Sequence, residues 1–241
     1  MRSIRSNTAA DQPAAAPAGS DRRLVDLLLV LLTAAAGATD AVAYLGLGGV
    51  FTANMTGNLV LFGIAGAHGA DMHLARAGIA VIAFTAGLVA AYRITDRSGL
   101  SDWLWHPRIS AALGVNLALQ TGFLAIWAQS GAEPGRAVDI ALVALSGAAM
   151  GLQTATARRI ARAGITTTFV TGTLTSVAES LSHGSTKDVL RRCAVLLALV
   201  AGALAGAVTL RFAPVLAAAI APTLVLATLV VARRRLHGRR G

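Results

Sequence analysis

The sequence predicts an all-α, polytopic helical membrane protein with six to eight hydrophobic segments. The chain has 241 residues, of which 55% are hydrophobic and 13% are charged, whereas about a quarter of the residues in a soluble domain are charged. The mean hydropathy is +0.66, and runs of about twenty apolar residues recur along nearly the whole chain, which is typical of membrane-spanning helices. No soluble domain of appreciable size is expected.

The basic residues follow a membrane topology pattern rather than the pattern of a nucleic-acid-binding surface. The net charge of +10 comes from short clusters between the apolar runs and from the two termini, where the positive-inside rule places them. The lipid bilayer is therefore the predicted partner, and nucleic acid is not. Cys193 is the single cysteine, so neither a disulfide nor a cysteine metal site is predicted.

The predicted elements run from a polar tail through the hydrophobic segments to a basic tail. Residues 1–23 are rich in Ala, Pro and Ser, and such a composition predicts a disordered cytoplasmic tail. A single helical transmembrane domain is predicted over 24–232, followed by a basic tail at 233–241. Its halves cover about 24–129 and 137–232. The hydrophobic segments are 24–44, 50–67, 77–92, 109–128, 138–157, 166–181, 189–210 and 214–232.

The arginine-containing loops distinguish between eight crossings and six. If every segment crossed, the loops around Arg97 and Arg159 would both face outward, against the positive-inside rule. If segments 50–67 and 166–181 are instead re-entrant, both loops and both termini fall on the cytoplasmic side. We prefer six crossings on this ground, arranged as two inverted halves of three crossings each.

Polar residues interrupt the apolar sequence most clearly between Asp40 and Asn58. A polar group at membrane depth costs free energy unless a partner satisfies it. Helical spacing places Asp40 and Tyr44 on one face and places Asn54, Gly57 and Asn58 on another. We expect these faces to form one wall of a buried polar site, in which Asp40 couples a proton or cation. The alternatives for Asp40 are a structural hydrogen bond to one of the two asparagines and a hydrated position near the surface.

The sixth segment is the second polar stretch and contains six threonines. Thr168, Thr171 and Thr175 share a helical face, and Gly172 lies beside them. Threonine often bonds the backbone of its own helix, which is the structural interpretation of any one of them. The cluster as a whole favours a pore-lining or substrate-facing role.

A weak internal repeat relates the two polar stretches. Thr56-Gly-Asn-Leu59 matches Thr171-Gly-Thr-Leu174, and upstream Gly37-Ala-Thr-Asp-Ala41 lies over Gly151-Leu-Gln-Thr-Ala155. Membrane proteins built from such repeats often bind their substrates near the bilayer midplane, between the repeated segments. We therefore expect the two Thr-Gly pairs to lie close together near a pseudo-two-fold axis in the membrane plane.

The stretch 40–58 and the blocks at 151–155 and 167–175 resemble the bacterial YoaK-type membrane family. The resemblance extends from about Leu24 to the last helix, and the family commonly has asparagine where this chain has Thr154. The resemblance implies a multi-pass protein of the bacterial inner membrane. It implies no substrate, because the family is described as of unknown function.

The function that the polar stretches favour is a small-solute or ion permease. Its predicted path consists of Asp40, Tyr44, Asn54, Thr56, Gly57, Asn58, Gln153, Thr168, Thr171, Gly172 and Thr173. Amide and hydroxyl groups suit a small polar solute or an anion, and the carboxylate suits a coupled proton. The alternative is a non-transporting scaffold, sensor or lipid-binding protein whose polar residues only hold helices together. A membrane-embedded enzyme ranks third.

No motif for catalysis, a cofactor or a metal is recognised in the chain. His68, Asp71 and His73 lack the spacing of a strong metal motif. The chain contains no phosphate-binding loop, nucleophile elbow, zinc-protease helix or redox cysteine pair. We therefore expect no enzyme activity and no cofactor, and a homo-oligomer is compatible with the sequence.

Overall fold

A computed structural model describes residues 19–95, 105–161, 170–183 and 186–236, and the regular structure of these residues is α-helical. The helices are α1 (Gly19–Gly46), α2 (Met55–His68), α3 (Asp71–Ile94), α4 (Pro107–Gln129), α5 (Arg136–Ala161), α6 (Val170–Ser182), α7 (Thr186–Phe212) and α8 (Pro214–Arg235). The predicted all-α polytopic class is confirmed. α1 begins inside the predicted tail 1–23, which is a correction to that boundary. Residues 1–18, Thr168 and 237–241 lie outside the described residues.

Six of these helices, α1, α3, α4, α5, α7 and α8, are long and apolar enough to cross a membrane. α2 has 14 residues and α6 has 13. At about 1.5 Å per residue each is roughly 20 Å long, short of a hydrocarbon core of about 30 Å. Helix length therefore favours six crossings over eight. Because consecutive crossings alternate in direction, α1 runs parallel to α7, and α3 runs parallel to α5.

α1 packs closely along α7 because glycines face backbone across the contact. A Cβ placed on Gly37 would overlap the carbonyl oxygen of Leu199, and a Cβ on Gly202 would overlap the carbonyl oxygen of Ala34. Small residues allow such backbone approach between membrane helices. Near the beginning of both helices, Arg191 forms an ion pair with Asp26.

α3 packs along α5 by the same means. A Cβ on Gly151 would overlap the carbonyl oxygen of Phe84, and a Cβ on Gly87 would overlap the carbonyl oxygen of Ala148. Near the beginning of this pair, the Nε of Arg76 lies 2.6 Å from the Oδ2 of Asp139. These two helices therefore share a glycine contact and an Arg–Asp pair, as α1 and α7 do.

Two apolar clusters divide the bundle into an upper and a lower core. Cluster 1 joins the start of α1, Trp105 and the start of α4, the end of α5 and the second half of α8. Cluster 2 joins the end of α1, the end of α4, the start of α5 and the start of α8. Residues between the two clusters therefore lie near the middle of the membrane-spanning part.

The two short helices lie apart, which corrects one prediction. Among the described residues α2 packs against α3 and α6 packs against α7, and α2 makes no contact with α6. The expectation that the two Thr-Gly pairs approach each other closely is therefore wrong. Each short helix lies instead against a long helix of its own half of the chain.

Candidate functional site

Asp40 holds the loop that connects α1 to α2. Its Oδ1 accepts hydrogen bonds from the backbone N–H groups of Thr52 and Ala53, both at 2.7 Å. The loop has left the helical conformation, with positive φ at Gly48 and Gly49, so these N–H groups have no partner within a helix. A buried N–H group without an acceptor is costly. Asp40 therefore makes an irregular segment tolerable where α1 ends.

Asn58 holds the same loop from the side of α2. Its side chain is fully buried. Its Oδ1 accepts from Phe51 N at 3.0 Å, and its Nδ2 donates to Phe51 O at 2.5 Å. The amide thus satisfies both backbone groups of one residue. We call Asp40 and Asn58, which hold residues 51–53 between them, the loop clasp.

Three other first-half residues of the predicted path are exposed rather than buried. Tyr44 is 44% exposed and stacks on the Phe51 ring, with ring centroids 4.8 Å apart. Asn54 is the N-cap of α2, and its Oδ1 accepts from Gly57 N at 3.4 Å. Thr56 is exposed. The prediction of one continuous buried wall is therefore wrong for Tyr44 and Asn54, and Thr56 does not face the interior either.

The second-half residues of the predicted path do not meet the first-half residues. Thr173 is buried in α6, and Gly172 is exposed there, whereas Thr168 and the Thr171 side chain lie outside the described part. Since α6 does not contact α2, these threonines do not face the loop clasp. Gln153 alone, of the predicted second-half residues with a described side chain, lies in the middle of the bundle.

A chain of three buried side-chain amides joins α1, α4 and α5 in that middle region. Gln153 Nε2 donates to Leu32 O at 2.8 Å. Asn116 Nδ2 donates to Ala149 O at 2.9 Å and lies 3.5 Å from Gln153 Oε1. Gln120 Nε2 donates to Asn116 Oδ1 at 2.8 Å. All three amide side chains belong to residues that are at most 5% exposed.

Sequence reasoning identified Gln153 but missed Asn116 and Gln120. The signal was present, because two amides lie four residues apart in the otherwise apolar fourth segment. Residues at that spacing share a helical face, and intramembrane polar residues face the bundle interior or a cavity. Their partners on α5 and α1 depended on knowledge of which helices are neighbours.

A small cavity adjoins the amide chain, between α1, α4, α5 and α8. Its lining includes Thr39, Gln120, Ser146, Ala218 and Pro222, and it offers about 20 Å³ to the centre of a water-sized sphere. That space accommodates one small occupant. We call Thr39, Asn116, Gln120, Ser146 and Gln153 the central polar layer, which lies between clusters 1 and 2.

The loop clasp and the cavity are connected. Ser146 Oγ lies 2.9 Å from Thr52 Oγ1, and the backbone N–H of Thr52 donates to Asp40 Oδ1. Asp40 is therefore linked to the middle of the bundle through Thr52 and Ser146, although its own carboxylate holds the loop.

A larger cavity of about 190 Å³ lies between the α1–α2 loop, α2 and α3, next to His68, His73 and Arg76. Arg76 is already paired with Asp139. Among the described residues no buried polar side-chain atom of this lining lacks a hydrogen bond. In the described part of the chain no three His, Cys, Asp or Glu side chains gather where they could hold a metal ion.

Comparison with known proteins identifies the class of protein without a substrate. The family profile that matches residues 28–232 is described as a protein of unknown function (DUF1275). One similar protein is the UPF0700 transmembrane protein YoaK of Bacillus subtilis (strain 168), which is 35% identical over 155 residues. That alignment covers 64% of this chain and 66% of the relative, just under two thirds of the relative's length. No solved structure matches the chain.

Proposed function

The chain belongs to the DUF1275 family of integral membrane proteins, and we propose that it is a small-solute or ion permease of the bacterial inner membrane. The central polar layer is the observation that carries this proposal. Buried amides and hydroxyls lie between two apolar clusters, in helices that cross the membrane. Intramembrane polar residues commonly mark substrate or ion pathways.

We further propose that the two halves are inverted repeats, in which α1 to α4 correspond to α5 to α8. The alignment that pairs Gly37 with Gly151 also pairs their packing partners, since Leu199 and Phe84 stand at corresponding positions of α7 and α3. The spacing that aligns Thr56 with Thr171 also aligns Arg76 with Arg191, and both arginines form ion pairs with an aspartate. α1 and α5 cross in opposite directions, as an inverted repeat requires.

The helices nearest the pseudo-two-fold axis are those that contact their own counterpart. α1 contacts α5, and α4 contacts α8. These four helices are also the ones that line the small cavity. The cavity therefore lies where repeat-built transporters place their binding sites, between the halves and near the midplane.

Arginine positions support an orientation with both termini in the cytoplasm. With six alternating crossings, one side of the membrane contains the starts of α1, α4 and α7 and the ends of α3, α5 and α8. This side carries Arg22, Arg23, Arg93, Arg108, Arg158, Arg159, Arg191, Arg192, Arg233, Arg234 and Arg235, whereas the opposite side carries Arg76, Arg136 and Arg211. The positive-inside rule assigns the arginine-rich side to the cytoplasm.

The rival function is a non-transporting scaffold, sensor or lipid-binding protein. The loop clasp favours it to a limited extent, because Asp40 and Asn58 use their polar atoms on the backbone of a loop. The central polar layer favours transport, because one of its oxygens, Gln120 Oε1, has no partner among the described residues. A polar residue that only held helices together would be expected to use all its atoms.

Flux in proteoliposomes tests the proposed function. The purified protein is reconstituted, and stopped-flow light scattering records the entry of a panel of small polar solutes, while membrane electrophysiology records currents with inorganic ions. We expect at least one solute or ion to enter faster than it enters empty liposomes.

Gln120→Leu should abolish this flux, whereas Gln129→Leu should not. Gln129 is the last residue of the same helix and is exposed outside the cavity, so the two variants carry the same chemical change. The absence of flux for the whole panel would favour the rival function.

A further inference from the structure

The larger cavity lies beside a helical hairpin formed by α2 and α3. A Cβ on Gly78 would meet the Phe62 ring, and a Cβ on Gly66 would meet the Leu74 side chain. The position on α2 thus rises as the position on α3 falls, so the two helices run antiparallel. The end of α2 and the beginning of α3 therefore lie at the same end of the hairpin.

The lining changes from polar to apolar along the hairpin. His68 is the last residue of α2, and His73 lies close to the beginning of α3, so both histidines lie at the same end of the cavity. Leu61 lies about 10 Å further in, at about 1.5 Å per residue. The remaining lining residues of the two helices, apart from Arg76, are Ile64, Ala65, Ala70 and Ala77. The cavity therefore has a polar mouth and an apolar interior.

The cavity fits within one leaflet of the bilayer. α3 crosses the membrane from Asp71 onward, so the histidine mouth lies where this helix enters, at the level of the lipid headgroups. The lining of α2 extends about 10 Å inward from there, whereas half of the hydrocarbon core is about 15 Å thick. With the orientation proposed above, this is the leaflet on the side opposite to the cytoplasm.

The α1–α2 loop forms the inner wall without adding a polar group that needs a ligand. Gly48 and Gly49 have positive φ, and a Cβ on Gly49 would meet no atom within 4 Å. A Cβ on Gly48 would overlap the Arg76 guanidinium, so the loop lies directly against that side chain. Arg76 is itself paired with Asp139 through its Nε. The interior of the cavity therefore suits an apolar occupant.

The size of the cavity suits a piece of hydrocarbon rather than water. Its volume is about 190 Å³, whereas an apolar cavity of about 150 Å³ stays dry and binds a molecule of the size of benzene. A buried water needs about two to four polar partners, which this lining offers only at its mouth. An empty space would forfeit van der Waals contacts on every side. Several linked methylene groups would restore them.

We propose that this cavity binds one acyl chain of a phospholipid, whose phosphate lies at His68 and His73. Phe62 and Ile64 are 44% and 52% exposed, so the apolar surface continues from the cavity to the lipid-facing side of α2. A chain of the surrounding bilayer can therefore reach the cavity. Histidine N–H groups can donate to phosphate oxygens, and none of the described residues that line the cavity carries a carboxylate.

The bound chain would also support the loop clasp. Val50 lines the cavity and is 2% exposed, and it directly precedes Phe51, which Asn58 holds by both backbone groups. A lipid in the cavity would thus pack against the loop on the side of α2 and α3. This inference goes beyond the permease and does not depend on it.

Native mass spectrometry of the full-length protein tests the proposal. The protein is purified in a mild detergent and titrated with phosphatidylglycerol. We expect one phospholipid to remain bound under conditions that remove all others. Ala65→Phe places a large side chain in the cavity and should lose this lipid. Ala67→Phe should retain it, because Ala67 lies two residues further along the same helix, is exposed and is outside the lining.

His68→Ala tests the mouth and does not depend on the folding of Ala65→Phe. His68 is exposed, so its replacement should leave the fold intact. Loss of a hydrogen bond to a charged phosphate should weaken lipid binding by about tenfold. His183→Ala is the matched control, because His183 is an exposed histidine that follows α6 and is far from the cavity in the chain.

Three results would overturn the proposal. The first is a wild-type protein that retains no phospholipid, and the second is equal retention in Ala65→Phe and Ala67→Phe. The third is displacement of the lipid by millimolar inorganic phosphate, which would show a site for free anions in which the apolar interior has no part. Flux in proteoliposomes is measured separately, so the failure of the permease and the failure of the lipid site are distinguishable.

Discussion

In both parallel helix pairs a glycine lies against a carbonyl oxygen and an arginine pairs with an aspartate, but the surroundings of the two pairs differ. In the most apolar stretch of α5, 67% of the residues are buried, whereas in α7 the share is 17%. Asp139 in the α3–α5 pair has a side chain 4% exposed, whereas Asp26 in the α1–α7 pair is 26% exposed. Similar geometry therefore does not imply a similar contribution to stability, because burial determines how much unfolding free energy is lost with a contact.

The ion pairs should show the largest difference. Arg76→Gln leaves the buried Asp139 carboxylate without its partner, and breaking a buried pair costs about 3–5 kcal/mol. Arg191→Gln should cost at most about 1 kcal/mol, because both side chains of its pair with Asp26 are partly exposed. Unfolding midpoints in a denaturing detergent measure both losses. The double variant Arg76→Gln/Asp139→Asn should regain much of the stability, and equal losses in the two single variants would show that burial is not decisive.

The glycine contacts should follow in size. Gly151→Ala forces a methyl group against Phe84 O, and overpacking of this kind costs about 3 kcal/mol in a buried contact. Gly37→Ala makes the same clash with Leu199 O, but α7 has few buried neighbours and can move outward, so we expect about half that loss.

Gly114→Ala is the matched control for these glycine variants. A Cβ on Gly114, in α4, would meet no atom within 4 Å. This change should be neutral or should stabilise by about 0.5–1 kcal/mol through helix propensity. Membrane accumulation and unfolding midpoints rank the three variants, and a loss at Gly114 as large as at Gly151 would contradict the role assigned to close helix approach.

The loop clasp extends the comparison to the short helices. Asn58→Ala leaves Phe51 N–H and C=O without partners, for a cost of about 1–3 kcal/mol. Asn54→Ala removes only an exposed cap and should cost about 1 kcal/mol or less. Thr173→Ala, at the aligned position of α6, should also cost less than Asn58→Ala, because no amide is available there to hold both backbone groups of one residue. A larger loss in Thr173→Ala would reverse this ranking of the two halves.

Asp40→Asn should also have only a small effect on stability. Asparagine keeps an oxygen that can accept from Thr52 and Ala53, so the expected loss is about 1 kcal/mol. If Asp40 acts only through the clasp, the pH dependence of flux should be unchanged. A variant that unfolds normally but has lost its pH dependence would instead support the proton-coupling role predicted from the sequence.

The class and the number of crossings were predictable because they depend on local hydropathy. A run of about twenty apolar residues has few structural alternatives to a membrane-spanning helix. The arginine loops already favoured six crossings before the lengths of α2 and α6 were known. The packing of Gly37 and Gly151 was harder to predict from the sequence. The proposed repeat aligns them with each other, but only the fold shows that each faces a helix of the other half.

The candidate site was harder to predict because it depends on which helices are neighbours. Asp40 was singled out, and a structural hydrogen bond to an asparagine amide was one alternative, but the groups that donate to its carboxylate are loop N–H groups. Asn116 and Gln120 were missed because two amides in an apolar run carry no motif. The site emerges only when α1, α4, α5 and α8 are brought together.

The pairing of α1 with α7 also has a consequence for the order in which the protein is made. α1 leaves the ribosome long before its partner helix α7, which lies in the second half of the described chain. Until α7 has been inserted, the groove at Gly37 is open to lipid and Asp26 lacks Arg191. The α3–α5 pair, by contrast, can close once α5 has entered the membrane. The α3–α5 contact can therefore form before the α1–α7 contact, so α1 waits longer for its main neighbour than α3 does.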